Sequence, residues 1–420
     1  MKIYIGLDFG TSGARLVAIT ALGDAIATAQ VPWTDGGETA SWQRGLTSLL
    51  DAIPIAVRQQ TAALAINGTS STVILCDRTG QPLVPALLYN DDRGKTVKKS
   101  LAALAPPDHL VQSATSSLAK VLWWQVNSDR TLWREARYLL HQADWLAAQL
   151  HGRWGITDYH NALKLGYDVE QLRYPDWLQA WEGFRLCPAV VEPGTPVGTV
   201  TAAVAARFGF PADCQVCAGT TDSIAAFLAS GVAQPGEAVT SLGSTLVLKL
   251  LSDRPVHDLA AGVYSHRLGQ RWLTGGASNT GGAVLAAFFD PAELAALSEQ
   301  IDGTQPSPLR YYPLLQPGDR FPINDPTLAP CLDPRPADPV AFLQGLLDSM
   351  ARLEAEGYAR LAALGATPLT QVLTAGGGAQ NGAWMALRQR RLGVPVLRSP
   401  QQEAAYGTAR LAQWQGLRQF

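Results

Sequence analysis

Ile3-Tyr-Ile-Gly-Leu-Asp8-Phe-Gly-Thr-Ser-Gly13-Ala-Arg15-Leu-Val-Ala-Ile-Thr20 carries two short runs of alternating character around a turn with two glycines. Ile3, Ile5 and Leu7 share a face in the first run, and Leu16, Ala18 and Thr20 do so in the second. A period of two is the pattern of a strand. A third such run, Ala25, Ala27 and Ala29, follows the turn Ala21-Leu-Gly-Asp24. The order is therefore hairpin after hairpin, with no helix between. A Walker-type phosphate loop or a dinucleotide fingerprint must lead from a strand into a helix. Neither G-x-x-x-x-G-K-[ST] nor G-x-G-x-x-G occurs in the chain, which excludes a nicotinamide-dependent dehydrogenase of the usual kind.

Working outward, a second glycine-bearing turn between strands lies at Ala238-Val-Thr-Ser-Leu-Gly-Ser-Thr-Leu-Val-Leu-Lys249. Each hairpin opens one half of the chain, and each half later has a strand running into a small-residue loop. In the first half this is Leu64-Ala-Ile-Asn-Gly-Thr-Ser-Ser71, and in the second Val372-Leu-Thr-Ala-Gly-Gly-Gly-Ala379. A repeat of half the chain is too long for a solenoid. It predicts two related α/β domains facing each other across a central cleft. Pro235 and Gly236 break the preceding helical stretch near Gly231–Gly236, so the expected domains are 1–233 and 234–420. Asp338-Pro339 is a cap followed by a first-turn proline, and Leu343, Leu346, Leu347, Met350, Leu353, Leu361 and Leu364 follow at helical spacing until Gly365. The proline-rich stretch 304–339 is expected to run irregularly over the surface.

The chain has 420 residues, 47% of them hydrophobic, which provides for a sizeable core. Charged residues make up 16%, and 33 Lys and Arg against 35 Asp and Glu leave a net charge of −2 with no basic block. Coating of nucleic acid needs clustered positive charge and is excluded, as is intrinsic disorder. Asp8 interrupts the N-terminal apolar stretch, and no 18-residue uncharged apolar run occurs, so neither a signal peptide nor a membrane span is expected. Five cysteines in so large a chain do not suggest a disulfide scaffold. Cys214 and Cys217 form a C-x-x-C with no second pair and read as core thiols in a strand. The expected setting is a reduced cytoplasm.

Several stretches can carry chemistry. Asp8 followed by Gly10, Thr11, Ser12 and Gly13 offers a carboxylate at a strand end and then backbone amides, an arrangement that suits an anion nest and a Mg²⁺ held through water; it also suits an ordinary hairpin turn. Gly243-Ser244-Thr245 is the equivalent turn of the second half. Gly376-Gly377-Gly378 precedes Asn381 and a helix with Trp384, Leu387 and Leu392, and Gly275-Gly276 precedes Gly281-Gly282. Consecutive glycines cost backbone entropy, so a close backbone approach by a flat nucleobase or a phosphate at the helix N-terminus should require them; a tight helix-entry turn is the other reading. Asp222, after Cys217-Ala-Gly-Thr-Thr, starts a helix, either as a cap or as a base kept ionised by the helix N-terminus. Thr69-Ser70-Ser71 and Tyr89-Asn-Asp-Asp-Arg93 can bond hydroxyls, and the Trp123-Trp124 pair is the candidate for sugar stacking.

These residues resemble the FGGY carbohydrate kinases, within the sugar kinase, chaperone and actin group. Asp8-x-Gly10-Thr11-x-x-x-Arg15 is similar to that family's first phosphate loop. Gly68-Thr-Ser-Ser, Tyr89-Asn-Asp-Asp-Arg93, Lys120-x-x-Trp123, Thr157-Asp-Tyr-His-Asn-Ala162, Gly219-Thr-Thr-Asp222, Gly243-Ser-Thr245, Gly275-Gly276-Ala277, Gly376-Gly377-Gly378 and Glu403-Ala-Ala-Tyr-Gly407 follow in family order. Within the family the short chain looks most like the cyanobacterial and plant branch of D-ribulose or D-xylulose kinases. The resemblance implies two ribonuclease-H-like domains, 1–233 binding sugar and 234–420 binding nucleotide, and use of ATP and Mg²⁺. It implies Asp222 as catalytic base, Asp8 as the carboxylate that orients Mg²⁺ and touches sugar, and Ser70 as a sugar contact. Gly10, Thr11, Ser12, Gly243, Ser244, Thr245, Gly276, Gly376, Gly377, Gly378 and Asn381 would hold the nucleotide. The expected reaction is phosphorylation of the terminal hydroxyl of a ketopentose, D-ribulose before D-xylulose, by a monomer or homodimer. The rival expectation is an actin-like nucleotide-binding sensor or scaffold without turnover.

Overall fold

The computed structural model describes residues 1–33 and 38–420. The chain divides into two compact units, one of residues 1–229 with 403–419, the other of 230–402 with Phe420. In the first unit β1 (Ile3–Phe9), β2 (Gly13–Thr20) and β3 (Ala25–Pro32) form the expected double hairpin. β4 (Thr61–Gly68) lies parallel to β1 on its other side. Two small paired sheets follow, β5 (Val73–Cys76) with β6 (Tyr138–His141), and β7 (Ile156–Asp158) with β8 (Ala189–Val191). β9 (Pro196–Thr199) and β10 (Gln215–Thr221) complete the main sheet in the order β3-β2-β1-β4-β10-β9, with β10 parallel to β4.

The period of two in β1 explains where its side chains go. Ile3, Ile5, Leu7 and Phe9 point into a core with Trp42, Leu46, Leu49 and Leu50 of the helix Thr39–Ala52 and with Trp145 and Leu146 of the helix Gln142–His151. Tyr4 instead joins Ala63, Ala65, Cys217 and Ala412, on the face covered by the helix Ala404–Trp414. Asp8 and Asn67 continue these second-face series at the carboxyl ends of β1 and β4, where they are register partners. Cys214 and Cys217 are free, buried thiols, and burial pushes both up to about 12.

The second unit repeats the plan. β11 (Glu237–Leu242) and β12 (Leu246–Ser252) form the hairpin, and β13 (Tyr264–Leu268) and β14 (Arg271–Ser278) extend it. β15 (Gln371–Ala375) lies parallel to β11, and β16 (Val396–Arg398) parallel to β15. The long helix Pro339–Ala363 starts as its sequence indicates, with the Asp338 carboxylate accepting from Val340 N at 3.0 Å, and Gly365 follows its end at φ 102°. Glu354 on this helix and Arg388 on the helix Gly382–Leu392 form a fully buried bidentate pair at 2.6 and 2.7 Å. Thr240 of β11 donates to the same Glu354 carboxylate at 2.6 Å, and Arg388 donates to Thr374 of β15 at 2.7 Å. A buried ion pair persists only when its remaining hydrogen bonds are made, and this one fixes two helices against two strands.

Three expectations need correction. The C-terminal segment of 234–420 does not stay with the second unit: Ala404–Trp414 packs on the first sheet, and a Cβ on Gly407 would lie 1.9 Å from Ala225 O. That close helix contact explains the glycine. The stretch 304–339 is irregular, but it is not wholly a surface excursion, because Tyr311, Leu314 and Phe321 are buried in the core. Gly276 lies inside β14, where a Cβ would meet the Phe321 ring at 2.3 Å, so packing accounts for it.

Candidate active site

Within the first unit, polar residues gather at the carboxyl ends of three neighbouring parallel strands, the place where open α/β sheets bind ligands. Asp8 near the end of β1, Asn67 near the end of β4 and Thr220 near the end of β10 are register neighbours. Asp222 follows β10 directly and opens the helix Asp222–Ala229, with its Oδ1 accepting from Ser223 N at 2.7 Å. His160, from the Thr157–Ala162 motif, lies 2.8 Å from Thr220 Oγ1. The helical turn carrying His160 is capped by Asp158, which accepts from His160 N at 2.8 Å and Asn161 N at 3.1 Å. The motif thus anchors the strand end two residues before Asp222.

Asp8 is 7% exposed, and its Oδ1 is buried without a hydrogen-bond partner. Burial first, then the nearby Asp222 carboxylate, push its pKa up to about 7; Glu403 adds to this, while Arg15 and the Asn67 amide oppose it. Arg15 and Glu403 are themselves 3.8 Å apart at the half-exposed rim. Asn67 is fully buried and spends its amide hydrogens on Thr408 Oγ1 at 2.6 Å and Leu7 O at 3.3 Å, which leaves Oδ1 as a second unpartnered acceptor. Unpaired buried oxygens call for a donor or a cation. No cluster of three or more His, Cys, Asp or Glu that could hold a metal occurs among the described residues. The donor set fits a cation shared between one protein carboxylate and substrate phosphates, the usual manner of Mg²⁺.

A small cavity of about 190 Å³ is lined by Gly10, Thr11, Trp33, Trp42, Thr69, Leu88, Tyr89, Asn90 and Gln142, with Gly10 following the end of β1 and Thr69 the end of β4; Asp8, Asn67 and Asp222 are not among its lining residues. Trp33 Nε1 donates to Gly10 O at 2.9 Å, and its ring stacks on Phe9. Gln142 Oε1 accepts from Thr69 N and Thr69 Oγ1, at 2.9 and 3.0 Å. Thr69, and not Ser70, borders the cavity. Trp123 and Trp124 do not: Trp124 is buried in a core cluster, and Trp123 carries the Arg93 guanidinium over its ring at 4.5 Å. Trp33, Trp42 and Gln142 carry no local motif, so sequence reading passed over them.

The second unit holds a larger cavity of about 990 Å³ at the carboxyl ends of β11 and β15. Gly243, Ser244, Gly377, Gly378 and Asn381 line it, as do Phe289, Leu294 and Ser298 from the segment around the helix Pro291–Ser298. Thr245, Gly276 and Gly376 are not among its lining residues. Asn381 caps the helix Gly382–Leu392 by accepting from Trp384 N at 2.9 Å, and donates to Ser298 Oγ at 2.8 Å. The glycine run divides by cause. Gly376 has φ 85°, and a Cβ on it would lie 2.6 Å from Leu242 O; a Cβ on Gly378 would meet Trp384 at 2.6 Å, so the protein's own packing requires both. Around Gly377 nothing lies within 4 Å of a Cβ.

Residues 3–229 match the FGGY family of carbohydrate kinases, N-terminal domain, and residues 238–416 match its C-terminal domain. The chain belongs to the FGGY carbohydrate kinases. It is 26% identical over 410 residues to the xylulose kinase of Escherichia coli, covering 91% of this chain and 83% of that one. It is 27% identical to the xylulose kinase of Streptomyces coelicolor, covering 94% and 84%. A crystal structure described as a xyloylose kinase from Brucella ovis superimposes with a TM-score of 0.85 at 23% identity, covering 98% of this chain and 90% of that one. The two-unit α/β architecture of this kinase is thus the family fold, and the scaffold reading without turnover gives way to an enzyme. No helix among the described residues is long and apolar enough to cross a membrane.

Proposed function

We propose that this kinase transfers the γ-phosphoryl group of ATP to the terminal hydroxyl of a ketopentose bound in the small cavity of the first unit. The observation that carries this reading is Asp8, a buried carboxylate with an unpartnered oxygen, next to a second carboxylate, Asp222, at a helix start. Phosphoryl transfer asks the protein for positioning, charge neutralisation and a base. Asp222 takes the hydroxyl proton as the sugar oxygen bonds to the γ-phosphorus; the bond from that phosphorus to the bridging oxygen breaks, and ADP leaves. Asp8, with Asn67 beside it, would hold Mg²⁺, which supplies neutralisation of phosphate oxygens. Gly10 N already donates to Gly13 O at 3.0 Å and shapes the turn, so in this reading the amides of Thr11 and Ser12 face the transferred phosphate, with Thr69, Asn90 and Gln142 on the sugar hydroxyls and Ser70 at the edge. The cavity of the second unit takes the nucleotide, its base against Phe289 and Leu294.

D-ribulose takes first place through the resemblance of this short chain to the cyanobacterial and plant branch. D-xylulose is the second reading, favoured by the xylulose kinases among its relatives. The two sugars are epimers at one carbon, so discrimination reduces to one hydroxyl. A coupled ADP-release assay with ATP and Mg²⁺ across pentuloses, aldoses and polyols tests the proposal. Release that depends on one pentulose is expected; release independent of sugar, or dependent only on a polyol, overturns it.

Gly377→Val tests the nucleotide cavity. Since nothing lies within 4 Å of the new Cβ, the variant should still fold, which its melting curve checks. It should raise the ATP KM by about tenfold or more, the effect of one or two misplaced methyl groups in a pocket, with the sugar KM unmoved. An unchanged ATP KM would remove Gly377 from the nucleotide site.

A further inference from the structure

Lys120 lies on the helix Ser117–Asn127 and is fully buried. Its ammonium donates to Ser71 O at 2.8 Å and Leu88 O at 2.6 Å, and lies 3.5 Å from Tyr89 O. An ammonium has three protons, and here backbone carbonyls take them. Burial pushes its pKa down to about 7, with Asp91 opposing and Lys164 and Arg93 adding to the fall. Taking a charge out of water for an ordinary packing contact is unfavourable, since a hydrophobic side chain of the same size would do better. The three carbonyls belong to two loops, and both loops line the small cavity: Thr69 comes from the first, Leu88, Tyr89 and Asn90 from the second.

The first loop shows why it needs holding. Ser71 is non-glycine with φ 65°, it is 1% exposed, and its Oγ has no partner. A left-handed serine with an unpaired hydroxyl is strained and persists only where its surroundings impose it. Thr69 Oγ1 meets Thr72 Oγ1 at 2.6 Å across this residue, so the conformation of Ser71 sets where Thr69 stands.

We infer that Lys120 is a positioning residue for the sugar: by bonding the Ser71 and Leu88 carbonyls together it sets the spacing between Thr69 and Asn90 across the cavity, and thereby the affinity for the pentulose. This rests on the small cavity being the sugar site. Lys120 touches no reacting atom, so its effect should fall on sugar binding and leave nucleotide binding alone.

The test compares Lys120→Met, Lys120→Gln and Asn90→Ala with the wild-type enzyme. D-ribulose and D-xylulose affinities are measured by calorimetry without nucleotide, and both substrates' KM values in the coupled assay. Hydrogen bonds to a charged group are strong enough that losing them should weaken sugar binding by about tenfold or more, with the ATP KM within about twofold of wild type. Lys120→Gln is one bond shorter and cannot span both carbonyls; it keeps a donor and covers the case in which Lys120→Met does not fold. A folded Lys120 variant with unchanged pentulose affinity, alongside a weakened Asn90→Ala, overturns the positioning role and leaves the sugar site standing. An equal rise in sugar and ATP KM also overturns it, because that pattern marks general destabilisation. If Asn90→Ala binds both pentuloses like wild type, the cavity is not the sugar site, and the role of Lys120 falls with it.

Discussion

Asp222→Ala is expected to lower kcat by about a thousandfold or more, within the range that a general base contributes, while ATP binds as before. Asp222 begins its helix directly after β10, so its carboxylate sits at the positive end of eight aligned residues that favour the ionised form. Ser223 N bonds Oδ1 and fixes the direction of the group. Behind it Thr220 is tied to His160, so the strand end that delivers Asp222 is held from a second side. Asp222→Asn separates basicity from shape: the amide keeps size and can still accept from Ser223 N, but cannot accept the hydroxyl proton. It should therefore be nearly as inactive as the alanine variant and bind sugar and nucleotide normally. Turnover of Asp222→Asn near the wild-type rate would remove the base role. A loss confined to KM would reassign Asp222 to substrate binding.

Local patterns foretold a large part of this enzyme. Ile3, Ile5 and Leu7 alternate because one face of β1 is core, and Asp8 stands at the end of the opposite face, so strand, turn and carboxylate are all written within a few residues. The same holds for Asp338-Pro339 and Gly365, whose roles depend on near neighbours. What escaped the sequence depends on distant ones. Gly407 is required by Ala225, nearly two hundred positions away in the chain by residue number, and the helix that carries it joins the first sheet instead of the unit preceding it. Gln142 borders the small cavity beside Thr69, and Trp33 borders it beside Gly10. Neither belongs to a short motif. In the loop Thr69-Ser70-Ser71 it is Thr69 that lines the cavity, and the left-handed turn at Ser71 within this loop is a conformation that serine does not announce. The glycine run 376–378 shows the converse: one composition signal had two causes, and only the packing around each position separates them.

Asp8→Asn is expected to lose activity by about a hundredfold or more, in line with removal of one electrostatic contact to the transition state, and added Mg²⁺ should not restore it. Stability should move the other way. In the unfolded chain Asp8 releases its proton at the ordinary carboxylate value of 3.8, and burial beside Asp222 raises this to about 7 in the folded enzyme. Between these values the folded state keeps a proton that the unfolded state has lost, so stability falls as pH rises through the interval, and the whole penalty is present above about 7. At ~1.4 kcal/mol per pH unit the penalty is on the order of 4 kcal/mol. Asparagine has no such charge to bury. In chelator at pH 8 the variant should unfold at a higher denaturant concentration than wild type, and the two curves should converge below about pH 4, where both states hold the proton. Mg²⁺ should then stabilise wild type and leave the variant unmoved, because a ligand stabilises only the state that binds it. A variant no more stable than wild type at pH 8 would mean that Asp8 is already compensated within the fold. Asp8 is buried, stands near other carboxylates and is unpaired at Oδ1, a cost to the fold that the proposed role in holding Mg²⁺ would account for.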